Sequence, residues 1–256
     1  MSAPLTGLSC LTFDWGDTLA ANVGMPYLAT QRRAFAQLGR ELAQLGHPPG
    51  EDWVDRWMAD LAHDWRSSID PAANPEHREF DFAARMHAWI RAIGADPHAP
   101  GVHAAEQRCH DRLCDTVLPL TEAAPVLAEL RRRGYRIGIL SHVPWVAPAC
   151  RRWFARHGLA GAVDFYSLSC EVGWIKPSPH HFAHALAQAG CPGGAILHVG
   201  DHPLRDVHGA RAAGWRTCLR RTERIYPDHE LDACAPDVEI LHLAELLDLL
   251  PGADGR

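Results

Sequence analysis

Five residues in this sequence have types and placements suited to one piece of chemistry: Asp14, Ser141, Lys176, Asp201 and Asp206. Asp14 ends the apolar run Leu8 to Phe13. Ser141 follows the run Tyr135 to Leu140, and Asp201 follows Ala195 to Val199 and Gly200. Lys176 lies in Gly173-Trp174-Ile175-Lys176-Pro177, a loop and not a helix surface. Phosphoryl transfer needs a nucleophile that can approach an anion, cations that neutralise phosphate oxygens, and donors that hold them. Magnesium prefers hard oxygen ligands and takes only one or two carboxylates. Asp14 and Asp201 supply carboxylates, Ser141 a hydroxyl and Lys176 an ammonium. Taken singly each is unremarkable, since an Asp after a strand is usually a turn residue and a Lys usually a solvated charge. Asp206 also has a plain reading, as the cap of the helix after it. The joint occurrence gives them weight.

The elements around them set their positions. Short apolar runs bounded by turn residues read as buried strands at 8–13, 135–140, 163–168, 195–199, from Thr217, and at 238–240. Between them lie amphipathic helices over 121–133, 146–157, from Pro179, and over 206–213, followed by a Leu-rich tail over 241–250. Thr121 is placed to cap the first, and Ser178-Pro179 opens the third in the favoured order of cap then proline. Alternating strands and helices predict an α/β fold, a Rossmann-like parallel sheet with helices on both faces. Ligands then lie at the carboxyl ends of the strands, where Asp14, Ser141 and Asp201 stand. Residues 22–117 read differently. Ala34, Phe35, Leu38, Leu42 and Leu45 make one helical stripe, Trp53, Trp57, Leu61 and Trp65 another, and Phe82, Met86, Trp89 and Ile90 a third. The domains expected are an α/β core of residues 1–21 and 118–256 and an all-helical insert of residues 22–117.

Four segments, in order, resemble the motifs of the haloacid dehalogenase (HAD) superfamily of hydrolases. Phe13-Asp14-Trp15-Gly16-Asp17-Thr18-Leu19 resembles the first, Ile139-Leu140-Ser141 the second, Glu171 to Pro179 the third, and Val199-Gly200-Asp201 through Asp206 the fourth. The resemblance implies a magnesium-dependent phosphatase acting on a small phosphorylated metabolite. Asp14 would attack phosphorus to form an aspartyl-phosphate, and Ser141 and Lys176 would hold the phosphoryl oxygens. Asp14, the carbonyl of Gly16 and Asp201 would hold Mg²⁺, with Asp206 supporting. The insert resembles the family's helical cap, which closes over the site and selects substrate.

The chain departs from the family at residue 16. Phosphatases of this type carry a second Asp there, which protonates the leaving oxygen; here it is Gly, and the next acid is Asp17. Such help is worth ~10²–10⁴-fold. Asp17 or another nearby group replaces it, or the substrates have good leaving groups, or the protein is a catalytically weak phosphate-binding module. A 2-haloacid dehalogenase-type hydrolase is the rival enzyme, because those relatives also lack the second Asp; retention of Gly200-Asp201 favours phosphoryl transfer. Phosphonate hydrolysis is discounted, since no lysine lies between residues 22 and 117 to form an imine.

His142 and His202 follow Ser141 and Asp201 and are placed at the site, to touch substrate (His142 above all) or serve as acid, with polar loop residues as the plain reading. Trp15 and Trp145 are expected to wall the pocket. Trp53, Trp57, Trp65 and Trp89 are read as packing of the insert, and His180, His181 and His184 as a surface helix. Formal net charge −6 argues against a nucleic-acid partner. The sequence MSAPLTGLSCLTFDWG is not read as a secretory signal, and no apolar run is long enough for a membrane span. Eight cysteines with no CxxC pair fit thiols in a reducing, cytoplasmic setting.

Overall fold

The computed structural model describes residues 5–21, 27–224, 226, 230–231 and 234–250. Residue 22, where the insert was expected to begin, and the ends of the expected core (1–4 and 251–256) lie outside them. Six strands form one sheet: β1 (Cys10–Phe13), β4 (Arg136–Ser141), β5 (Phe165–Leu168), β6 (Ile196–Gly200), β7 (Arg216–Arg220) and β8 (Val238–Ile240). Their order is β5-β4-β1-β6-β7-β8, and every neighbouring pair is parallel. The central strands are apolar on both faces because both are covered. Leu11, Phe13, Ile137, Ile139, Leu197 and Val199 join one core with α5 (Ala123–Arg132) and α6 (Ala147–Arg156). Cys10, Leu140 and Ile196 face the other way, against Phe182 and Ala185 of α8 (Pro179–Ala189) and Ala210 of α9 (Gly209–Ala212).

The order places β1 between β4 and β6, so three strands carrying expected site residues are immediate neighbours. Phe13 pairs with Ile139 and with Val199, and the Asp14 N–H donates to the Val199 carbonyl at 2.9 Å. Asp14, Ser141 and Asp201 therefore emerge from one edge of the sheet within a residue or two in register.

Between β2 (Ala20–Ala21) and β3 (Leu118–Pro119), a short antiparallel pair, run four helices: α1 (Tyr27–Gln44), α2 (Trp53–Ile69), α3 (Phe82–Ala92) and α4 (Pro100–Cys114). Phe35, Trp57 and Phe82 pack edge to face or tilted, and Trp53 stacks on Trp89 at 4.4 Å. Helix α4 leans on α6, where Arg152 pairs with Asp111 at 2.9 Å and Arg156 with Asp115 at 2.5 Å.

Three local expectations are corrected. The helix expected over 206–213 begins earlier, as a π-helical turn over Pro203–His208 continued by α9; the wide turn accompanies the inward reach of the Asp206 side chain. Thr121 does not cap α5. Glu122 stands at the cap, and its carboxylate instead accepts the Leu243 N–H at 2.9 Å. The histidines of α8 do not all face solvent. His181 is fully buried with its Nε2 3.0 Å from the Ser167 carbonyl, and His184 bonds the Ser167 hydroxyl at 2.9 Å, because that helix turns one face to β5.

Candidate active site

Lys176 is the organising cation. It is the only lysine in a chain whose other 24 Lys and Arg residues are arginine, and its side chain is 2% exposed. Its ammonium lies 3.0 Å from Asp14 Oδ1 and 2.5 Å from Asp206 Oδ1, and donates to the Leu140 carbonyl at 2.9 Å. Two of its donors are taken by Asp206 and Leu140, and Asp14 is held as an ion pair. Burial alone would lower the Lys176 pKa, but the adjacent Asp14 and Asp206 carboxylates outweigh it and raise it, so the charge is retained.

Asp206 reaches this ammonium because residue 200 is glycine. A Cβ on Gly200 would stand 2.2 Å from Asp206 Cγ, a clash with no room to relax. With the path open, Asp206 Oδ1 also takes His198 Nε2 at 3.1 Å, and its Oδ2 accepts the His202 N–H at 2.9 Å. Burial opposes ionisation, yet the Lys176 charge and the His198 bond hold its pKa well below the ordinary carboxylate range. His198 is fixed in turn by Thr12, whose hydroxyl is 2.9 Å from its Nδ1.

Asp201 follows β6 beside them. Its Oδ2 accepts the Tyr226 hydroxyl at 2.6 Å. Burial, then the Asp206 and Asp14 charges, push its pKa up to about 7. Oxygens of Asp14, Asp201 and Asp206 lie within 4.8 Å of one another. Crowded carboxylates with hard donors fit a small divalent cation, which would relieve the repulsion that raises Asp201. Because both Asp206 oxygens already hold protein donors, Asp14 and Asp201 are the freer ligands, and Asp206 acts chiefly on Lys176.

A cavity of about 500 Å³ opens over this group. Asp14, Trp15, Gly16, Asp17, Ser141, His142, Trp145, Lys176, Asp201 and Asp206 all line it, so the sequence-expected site residues converge there. Trp15 is 4% exposed and packs on Trp153 and Phe154, a wall braced from behind. Asp17 is placed differently from a buried catalytic acid: its carboxylate is half-exposed, 3.8 Å from Arg224 Nη1, on backbone at φ +53°. Burial raises its pKa, with Arg224 opposing and Asp14 assisting. Trp65, read from sequence as packing, instead stacks on His142 with ring centroids 4.7 Å apart and lines the cavity. It sits near the end of α2 that points away from the insert's core.

Sequence reasoning missed His198, Tyr226 and Glu79. His198 carried a signal, a titratable residue inside the apolar strand Ile-Leu-His-Val-Gly. Glu79 carried none: it lies in an irregular link between α2 and α3 and meets the core only in three dimensions.

Comparison with known proteins agrees with this geometry. A family model described as haloacid dehalogenase-like hydrolase matches residues 8–214. A glyceraldehyde 3-phosphate phosphatase from Methanopyrus kandleri is 32% identical over 246 residues, 95% of this chain and 97% of that protein. An (S)-2-haloacid dehalogenase from Pseudomonas sp. strain YL is 30% identical, covering 87% of each. The solved structure of a HAD phosphatase from Thermococcus onnurineus superposes with TM-score 0.64 at 20% identity, covering 96% of this chain and 99% of that one, and shares the fold. Among the described residues no helix is long and apolar enough to cross a membrane. With its motifs on neighbouring strands of one parallel sheet and its family model spanning most of the sequence, the chain belongs to the haloacid dehalogenase-like hydrolases.

Proposed function

We propose that the protein is a magnesium-dependent phosphatase for a small phosphorylated metabolite, with Asp14 as nucleophile. The observation that carries this reading is the grouping of Asp14, Asp201 and Asp206 around one buried lysine. Displacement of halide needs a carboxylate nucleophile and no divalent cation. Three carboxylates within 4.8 Å of one another, with Asp201 pushed up to about 7 by burial and then by the Asp206 and Asp14 charges, suit metal-assisted phosphoryl transfer. The phosphatase relative, matched along nearly its whole length, supports the same choice.

Asp14 and Asp201, with the main chain at Gly16, would hold Mg²⁺, which when bound supplies charge neutralisation at the phosphoryl oxygens. Lys176 and Ser141 would hold those oxygens from the protein side. Lys176 would also steady Asp14, since its ammonium is fixed by Asp206 and Leu140 and lies 3.0 Å from Asp14 Oδ1 as an ion pair. Asp14 would then attack phosphorus in line with the leaving oxygen and form an aspartyl-phosphate, which water hydrolyses. Asp17 and His142 both line the cavity and are the candidates for the proton that residue 16 does not provide. The four helices between β2 and β3 would act as a cap, with Trp65 and Glu79 reaching down from it. All eight cysteines are free thiols, which supports a reducing, cytoplasmic setting, and the net charge of −6 supports a small-molecule partner over nucleic acid.

A screen of phosphate esters and 2-haloacids with and without EDTA tests the proposal. Phosphate release that requires magnesium and disappears in Asp14→Asn is expected. Halide release from 2-chloropropionate that EDTA does not diminish would reverse it.

A further inference from the structure

We infer that His142, set against Glu79 of the helical insert, is the proton donor to the leaving oxygen, in place of the acid missing at residue 16. This rests on the phosphatase reading above and assigns a step within it. His142 ends the loop turn after β4, directly behind Ser141, and lines the cavity. Its side chain is 5% exposed, and one ring face is covered by Trp65 with the planes 12° apart. The Nε2 atom lies 3.2 Å from Glu79 Oε2. Both ring nitrogens are buried and neither has a hydrogen-bond partner in the protein, so the approach to Glu79 is an ion-pair distance and not an aligned hydrogen bond. A buried polar atom without a partner is uncommon and costly, so a group that arrives in the cavity is the natural partner for it.

Glu79 is the carboxylate that stands against the ring. Its side chain is 2% exposed. Oε2 accepts the Ser169 hydroxyl at 2.5 Å, and Oε1 accepts the Phe80 N–H at 3.1 Å. Ser169 is itself held by the Val143 N–H at 2.7 Å. Among the described residues no Lys or Arg comes within ion-pair distance of Glu79, so the His142 imidazole is the ion-pair partner of this buried carboxylate. The same ring lines the cavity, so it meets both the insert's carboxylate and an arriving substrate.

The insert delivers Glu79 firmly. The Glu79 N–H donates to the Gly173 carbonyl at 3.1 Å and the Ile175 N–H to the His77 carbonyl at 2.8 Å, while the Arg78 guanidinium lies over Trp174 at 4.3 Å. These contacts tie the insert to the loop that ends in Lys176. Asp17, the other candidate, is half-exposed and has Arg224 beside its carboxylate, so water and a cation compete for the proton position.

The step balances. As Asp14 forms its bond to phosphorus, the bond from phosphorus to the ester oxygen breaks and a ring proton of His142 passes to that oxygen, which leaves as a neutral alcohol. Water then attacks the phosphorylated Asp14, the bond from phosphorus to Asp14 breaks, dihydrogen phosphate leaves with both protons of that water, and neutral His142 regains its proton from solvent.

The test compares a panel of alkyl phosphates, whose leaving oxygens need a proton, with p-nitrophenyl phosphate, whose leaving group does not. His142→Gln is expected to lower kcat on alkyl phosphates by ~10²–10⁴-fold while aryl turnover stays within about tenfold. Retained aryl turnover also reports that the variant is folded. Glu79→Gln, a milder change, is expected to show the same selective loss in smaller measure; a merely structural role would lower both substrate classes together. Equal losses on both classes in both variants, or selective loss in Asp17→Asn instead, overturn the assignment, as does a wild type that hydrolyses only the aryl ester. Phosphatase activity that survives Asp14→Asn fails the reading beneath it, a separate outcome.

Discussion

Replacing Lys176 by Met, nearly its equal in length, tests the electrostatic centre directly. In the native protein one ammonium answers two carboxylates at 3.0 and 2.5 Å, all of it buried. Removing one partner of a buried ion pair costs ~3–5 kcal/mol, because charge remains without compensation. The loss has a pH signature. Native Asp206 has a depressed pKa, so its contribution is fully present above the ordinary carboxyl value and is lost only in strong acid. Between pH 5 and pH 8 that contribution is flat. In Lys176→Met the same carboxyl is buried without its cation, its folded pKa rises above the unfolded value, and stability is lost as pH climbs through it. Each pH unit over which the carboxyl stays protonated folded and ionised unfolded costs the variant ~1.4 kcal/mol. Asp201, also raised, titrates in both proteins and largely cancels in the difference. Urea unfolding in EDTA, followed by the fluorescence of the nine tryptophans, is the assay. The deficit of Lys176→Met should be about 3–5 kcal/mol at pH 8 and smaller by about 2 kcal/mol or more at pH 5. A deficit under ~1 kcal/mol, or one that does not change with pH, refutes the claim that Lys176 is the counter-charge of Asp206 and Asp14.

Other perturbations test other parts of the site. Gly200→Ala puts a methyl 2.2 Å from Asp206 Cγ, and should cost about 1–3 kcal/mol in unfolding experiments while weakening magnesium binding, as Asp206 is pushed from Lys176. Magnesium binding should release a proton below pH 7, because Asp201 titrates at about 7 and must ionise to act as ligand; calorimetric titrations at pH 6 and pH 8 should differ ~10-fold in affinity. Lys176→Arg, which preserves charge, should still lower activity at least ~10-fold, since a planar fork does not fit between two carboxylates and a carbonyl. Gly16→Asp should fold with an unchanged melting temperature, as the added Cβ meets nothing within 4 Å, and should restore alkyl-phosphate turnover to His142→Gln.

The sequence carried the sheet and the catalytic edge because those signals are local. Short apolar runs stop at Asp14, Ser141 and Asp201, and a parallel sheet delivers such ends to one side. The insert's helices were equally visible from the stripes through Phe35, Trp57 and Met86. What escaped were contacts between segments with no shared periodicity. Glu79 meets His142 across 63 positions of sequence from an irregular link. Trp65 continues the Trp53–Trp57–Leu61 stripe by spacing, yet its place near the end of α2 puts it against the core. His181 follows the helix stripe that faces β5, a burial that residue polarity alone argues against.

Glycine at residue 16 connects these observations. A family phosphatase that keeps its acid on the first motif carries nucleophile and proton donor on one loop of the core, so the cap need only exclude water and choose substrate. Here the first motif keeps Asp14 and offers no buried acid. The imidazole of His142, buried beside the cavity, lies 3.2 Å from a carboxylate that belongs to the insert above. Glu79 is held in turn through the backbone of the loop that presents Lys176. Displacing the insert would therefore remove the partner of His142 and loosen the cation that steadies Asp14 in one motion. Chemistry in such an arrangement is conditional on closure, which favours substrates large enough to bridge the core and the underside of the insert. Truncated substrates should then lose kcat and not only affinity, because binding energy from the remote part holds the donor in place.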